Sequence, residues 1–303
     1  MKFIGLKTED GVKKGKLSLY CRVLGVTRQG FYKYLKTKDK LYKYTDLIDE
    51  IKEIIAEDEC NDMYGYKRIY EALKLKNPDR DDLPSRSTFY RILKENKLIH
   101  KLRRKPNGIT KEDRNARKSD DLLKRDFKSE APLEKAVTDI TEIKCKDGKL
   151  YVSAIFDCFD LMPLGISIAD NMKAELCVET IKNAKMQYPE ISGCILHSDR
   201  GSQYTSRKYR EALKESNIVQ SMNSDGGRCH DNARCESIWG RMKTELLYDR
   251  YNTEKMTMKE VKEKVWRYFM SYWKNRRICS AIGGMPPAEK RRRYYEQLAD
   301  EAA

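Results

Sequence analysis

The chain has 303 residues, 40% of them hydrophobic, enough for two or three small folded units rather than one. Its 62 Lys and Arg against 47 Asp and Glu give a formal charge of +15, which points to a polyanionic partner, nucleic acid being the commonest for a basic protein. A secretory leader or membrane span is not expected: MKFIGLKTEDGVKKGK turns to charge too early, and the most apolar window, 150–169, is broken by Asp157, Asp160, Pro163 and Gly165.

The first forty residues are rich in lysine and arginine. Within them, LSLYCRVLGVTRQGFYKYLK reads as two short helices joined at Gly25, with Thr27 as N-cap of the second. Leu19, Val23 and Leu24 are expected to pack against Val26, Phe31, Tyr34 and Leu35, as in a helix-turn-helix. The second helix would present Arg28, Gln29, Tyr32 and Lys33, side chains suited to phosphates and base edges.

From Asp46, the residues Leu47, Ile48, Ile51, Ile54 and Ile55 form one apolar helical stripe. A second helix is expected over YGYKRIYEALK and a third after Pro84, capped within SRS and running through TFYRILKENK. These three read as a second DNA-binding unit or as a plain helical spacer. Residues 101–118 carry eight basic and two acidic side chains around a Pro-Asn-Gly break, the pattern of a linker that tracks phosphates.

After Pro132 the texture changes. AVTDITEI alternates, KLYVSAIF is a buried-strand run, and PLGISIA is a third strand. AELCVETIKNAK and EALKE read as helices, GCILHSD and NIVQSM as further strands, together an α/β or α+β layer architecture. In the tail, Val261, Val265, Phe269 and Trp273 fall four apart with Trp266 and Tyr272 beside them, a stripe for a core or subunit interface. Pro286-Pro287 ends that region and KRRR follows.

Nine cysteines are scattered without a C-x-x-C pair, so reduced thiols in a cytoplasmic protein are expected. Cys229, His230 and Cys235 form the only cluster resembling a zinc site, and no fourth ligand lies nearby.

Three acids stand in chemically suggestive places. Asp139 lies mid-strand, on the same face as Val137 and Thr141; Asp199 ends an apolar strand; Glu236 opens a helical run, ESIWGRMKTELL. Three carboxylates from two strands and a helix could hold two Mg²⁺ ions and clamp the attacking and leaving oxygens of a phosphodiester. Spacing alone leaves Asp157, Asp170, Asp225 and Asp231 as other candidates.

The runs TDIT, LHSDRGSQYTS and CHDNARCESIWGRMKTE, in that order, resemble the integrase-core transposases of the IS3 insertion-sequence family. The resemblance extends upstream through LGVTRQGFY and YGYKRI, and downstream through YWKNRRICSAIGGMPP, so it covers nearly the whole chain. It implies an RNase H-like mixed five-stranded sheet flanked by helices, preceded by small all-α helix-turn-helix units, with Asp139, Asp199 and Glu236 as ligands of Mg²⁺ or Mn²⁺. The expected order is a helix-turn-helix segment (1–44), a second helical DNA-binding domain (45–108), a basic linker (109–130), the catalytic core (131–250) and a helical tail (251–303). Lys243, seven residues after Glu236 and so on the same helical face, matches a basic position that contacts DNA in the family; Arg241 is the alternative. Asn232, four before Glu236, would orient that acid or the DNA, or cap the helix.

One departure from the family pattern is a single extra residue between the second and third acids, where Arg200 to Cys235 makes 36; it is expected in the SDGG loop. The function implied is binding of an element's terminal inverted repeats, metal-dependent strand cleavage, and attack of the freed 3′-hydroxyl on a second phosphodiester, by more than one subunit on paired ends. The location implied is a bacterial cytoplasm, at the nucleoid. The chain would correspond to a downstream reading frame that is also made as a longer frameshift product. A nuclease of the same fold and a catalytically idle DNA-binding regulator are the alternatives.

Overall fold

A computed structural model describes residues 1–37, 43–99, 119–124, 126–223, 232–248 and 250–302. The basic stretch 101–118, the SDGG loop with its extra residue, and Cys229 and His230 of the zinc idea lie outside the described residues. Two compact units are present, Met1–Glu50 and Ile51–Ala303.

In the first unit, helices α1 (Lys2–Thr8), α2 (Lys14–Val23) and α3 (Arg28–Thr37) enclose Ile4, Leu17, Cys21 and Phe31, with Tyr20, Val26, Tyr34 and Leu35 packed around them. Thr27 caps α3 as expected, its Oγ1 accepting from the Gly30 N–H at 3.0 Å, and Gly25 makes the turn with φ of +63°. The expected packing of Leu19, Val23 and Leu24 is corrected: they are 55%, 71% and 47% exposed. The cause is α1, which brings Ile4 inward, so that α2 buries its Leu17–Cys21 edge.

The second unit takes in the second half of α4 (Thr45–Ala56), whose Ile51 and Ile54 are buried, a 3₁₀ turn Glu59–Met63, α5 (Tyr66–Lys76) and α6 (Arg86–Glu95), capped by Ser85. Its sheet contains β1 (Lys135–Cys145), β2 (Gly148–Asp157), β3 (Pro163–Ala169), β4 (Ile195–Ser198) and β5 (Val219–Met222) in the order β3-β2-β1-β4-β5. The first three strands are an antiparallel meander; β4 pairs parallel with β1, and β5 parallel with β4. This is the RNase H-like arrangement that the sequence implied.

Helix α7 (Ala174–Gln187) forms the crossover from β3 to β4; the one-turn α8 (Ser202–Thr205) and α9 (Arg207–Glu215) connect β4 to β5. One sheet face packs Ala136, Ile140 and Ile155 against Leu176, Cys177, Ile181 and Ala184 of α7. Contact there is close enough that a Cβ on Gly165 of β3 would lie 2.4 Å from the Thr180 carbonyl oxygen, which explains a glycine within that strand.

Past the sheet come α10 (Ala233–Met242), continuing as a π-helical stretch Lys243–Leu247, then α11 (Met258–Arg267), a π-helical stretch Tyr268–Trp273 and α12 (Pro287–Glu301). Val261, Val265, Phe269 and Trp273 are all fully buried, with Tyr272, whereas Trp266 is 45% exposed. The tail stripe is therefore core. Pro286-Pro287 separates the aromatic-stripe region from a further helix of 15 residues that Pro287 begins, a proline at the first helical position being a start signal as well as a stop. Arg291 on α12 reaches back to Asp160 and Asp157, at 2.6 Å each, fastening that helix to the end of β2. All eight described cysteines are buried and unpaired, and among the described residues no helix is long and apolar enough to cross a membrane.

Candidate active site

Strand register sets the first two acids side by side. In the parallel β1–β4 pair, Val137 lies opposite His197. Asp139 stands two residues further on within β1, and Asp199 two residues further on just past the end of β4, so the parallel pairing brings the two acids near one another. Alternation then turns Ala136 and Ile140 to α7 and gives Asp139 the opposite face, where α10 packs against β1. His197 is buried and satisfied: its ring nitrogens lie 2.9 Å from Ser221 Oγ and 2.9 Å from Asn223 Oδ1.

Asp199 is held by its own turn. Its Oδ1 accepts the Gly201 N–H at 2.9 Å, and a Cβ on Gly201 would approach that same oxygen to 3.0 Å. Glycine is the residue that lets backbone and carboxylate come this close.

Glu236 lies in the first turn of α10 and is exposed, while its neighbours Cys235, Ile238 and Trp239 are buried. Two side chains seat the start of that helix. Asn232 occupies the N-cap position without capping; its Nδ2 donates instead to the Thr138 carbonyl at 3.1 Å. Arg234, which the sequence reading did not single out, donates from Nη1 to the carbonyls of Phe127 and Cys158, at 2.6 Å each. Its only sequence signal was its place between Asn232 and Glu236.

Electrostatics tie the three acids together. Burial pushes the Asp139 carboxyl well above the usual aspartate range, the charge of Asp199 adds to this and that of Glu236 adds less, while Lys243 opposes them. Among the described residues no three His, Cys, Asp or Glu side chains already form a closed metal-holding group. Burial lowers Lys243, and the nearby negative charges of Asp139 and Glu142 act against that shift. Arg241 stands on the other side of the helix, lowered first by protein crowding and then by the charges of Arg277 and Arg68. Of the two basic candidates, Lys243 is thus the one beside the acids.

The remaining candidates are elsewhere. Asp157 is buried against Arg291, Asp160 and the N–H groups of Leu133 and Phe159, and is pushed up to about 6 by burial and by Asp160. Asp170 is exposed at the end of β3, and Asp225 and Asp231 lie outside the described residues. Arg28, Gln29, Tyr32 and Lys33 are all exposed on α3.

A five-stranded sheet of this order is an RNase H-like arrangement, and the family and relatives that the chain matches make it an integrase-core protein of the polynucleotidyl transferase kind. Residues 129–227 match the family described as Integrase core domain, and residues 217–287 match a second family of the same description. The chain is 30% identical over 275 residues to a candidate transposase, InsK, of insertion sequence element IS150 of Escherichia coli, covering 90% of this chain and 93% of that protein. It is 29% identical over 280 residues to a 31 kDa protein of insertion element IS600 of Shigella sonnei, covering 92% and 100%. To the transposase InsF of insertion sequence IS3A of Escherichia coli it is 26% identical over 271 residues, covering 89% and 91%. The chain belongs to the IS3 family of insertion-sequence transposases.

Proposed function

We propose that the chain binds the ends of its own insertion element and catalyses divalent-metal-dependent strand cleavage and strand transfer, with Asp139, Asp199 and Glu236 as the catalytic and metal-holding residues. The observation that carries this reading is the mutual effect of the three acids: a half-buried carboxylate whose ionisation is opposed by two neighbouring carboxylates calls for a cation. All three are hard oxygen donors, which suits Mg²⁺, with Mn²⁺ as a substitute. Such an ion would supply Lewis-acid polarisation of the scissile phosphate and lower the pKa of an attacking water or hydroxyl.

The chain's own residues do the rest. Asp139 on β1 and Asp199 in the turn just past β4 set the position of the reacting phosphate, and Glu236 closes the site from α10. Lys243, beside Asp139, offers its ammonium to a phosphate oxygen of the bound strand. Asn232 is a positioning residue, linking the start of α10 to the residue before Asp139. Arg28, Gln29 and Lys33 on α3 would meet the element end, and the +15 charge favours DNA generally. Two or more copies on paired ends would act together, and the second helical segment would add to end binding.

The test is a labelled duplex carrying the element ends, incubated with Mg²⁺ or with chelator. Joined-strand products that need the metal and vanish in Asp199→Asn are expected. Joining that persists in Asp199→Asn would remove the active-site assignment; cleavage without joining would favour a nuclease, and binding alone a regulator.

A further inference from the structure

Nine residues past Glu236, on the same continuous helical segment, Glu245 is buried in the π-helical stretch Lys243–Leu247. Its carboxylate accepts four hydrogen bonds: Arg277 Nε at 2.7 Å and Nη2 at 2.6 Å, Arg68 Nη1 at 2.7 Å, and the Tyr268 hydroxyl at 2.8 Å. These donors come from three separate places: α5 in the helical segment, the π-helical stretch Tyr268–Trp273, and the chain just beyond it. Arg277 also lies over the Trp273 ring, 4.4 Å from its centroid, and Arg68 lies 5.3 Å from that of Tyr64. Tyr64 accepts the Ile278 N–H at 2.9 Å, and Tyr272 donates to Asn61 Oδ1 at 3.0 Å.

A buried glutamate on the far side of the helix from the acids gives no chemistry to the reaction. Its role must be sought in what it joins. A π-helical turn widens the helix by one residue per turn and is unfavourable unless its side chains are held. Here the holding group is a carboxylate saturated by two guanidinium groups and a phenol, and those guanidinium groups keep it ionised, pulling its pKa down to about 2 against burial.

We infer that Glu245 is a positioning residue through which Arg68 of the helical segment and Arg277 of the tail fix the rotation and height of α10, so that Glu236 and Lys243 face Asp139. The inference rests on the reading of Glu236 as catalytic. It makes α5 a structural arm of the catalytic site as well as part of a DNA-binding segment: a disturbance of α5 passes to α10 through one carboxylate.

Arg68 is the residue to change, since its removal leaves Arg277 and Tyr268 on Glu245 and so preserves the fold; Glu245→Gln is the stronger companion. Full-length wild type, Arg68→Met, Arg68→Lys and Glu245→Gln are compared for amide hydrogen exchange over residues 233–247, for binding of a fluorescent element-end duplex in chelator, and for single-turnover cleavage with Mg²⁺. Arg68→Met is expected to speed exchange over 233–247 and to slow cleavage by roughly tenfold or more, because small misplacements of a reacting group are costly. Its duplex affinity should stay within about twofold of wild type, and Arg68→Lys should recover most of the rate. Exchange and cleavage both unchanged in Arg68→Met would overturn the inference, as would a loss of duplex binding equal to the loss of cleavage with exchange unchanged. Should wild type itself fail to cleave, the catalytic reading falls alone, and the exchange comparison still decides the link.

Discussion

The Asn232 amide donates to the carbonyl oxygen of Thr138 at 3.1 Å, joining the N-cap residue of the Glu236 helix to the residue that precedes Asp139. The side chain is buried, and its Oδ1 has no hydrogen-bond partner among the described residues. That bond links the segments of two acids 97 positions apart in sequence.

Replacing Asn232 tests that link. Asn232→Ala should cost about 1–2 kcal/mol of stability, the usual loss for a buried hydrogen bond whose acceptor is left behind. Asn232→Asp should be worse for activity despite equal size, because a carboxylate cannot donate to Thr138 and adds a like charge near Asp139. Urea unfolding and strand-cleavage rates measured on both variants separate the two effects.

Gly201→Ala should impair the site more than the fold. The new methyl would press on Asp199 Oδ1 from 3.0 Å, and the carboxylate must shift by a few tenths of an ångström. Cleavage is expected to fall by about tenfold, with the unfolding midpoint close to wild type; an unchanged rate would show that Asp199 tolerates the displacement.

Asp139→Asn should abolish cleavage and yet stabilise the metal-free protein at neutral pH. The folded carboxyl has a raised pKa, so above the ordinary aspartate value the unfolded chain ionises more readily and folding is opposed; a neutral amide removes that opposition. Thermal unfolding in chelator should show the variant melting higher. Adding Mg²⁺ should raise the melting temperature of wild type and leave that of the variant nearly unmoved.

Glu245 has the opposite sign. Its folded pKa is lowered to about 2, so its ion pairs stabilise the fold above the ordinary glutamate value, and that stabilisation is lost as pH falls toward about 2. Glu245→Gln should cost about 3–5 kcal/mol at neutral pH, since the buried Arg277 and the half-buried Arg68 lose their anion. The gap between variant and wild type should narrow progressively in urea titrations at decreasing pH.

Local pattern carried far in this chain. Strict alternation in AVTDITEI, the apolar run ahead of Asp199 and the helix-forming run from Glu236 named the elements on which the acids stand, because strand and helix periodicity are properties of neighbouring residues. The reading failed where a partner came from a distance. Leu19 and Val23 are expected in a core that α1 fills with Ile4 instead.

What the sequence determined by itself was the family and the order of strands and helices, and it put forward the three acids and Lys243 as candidates, all carried by short motifs and their periodicity. The tertiary structure decided the rest, for a physical reason: charge and hydrogen-bond partners are set by distance in space. Only folding brings Asp139 near Asp199 through a parallel strand pair, turns Lys243 rather than Arg241 toward them, and makes Arg234 and Glu245 matter through groups distant from them in the chain.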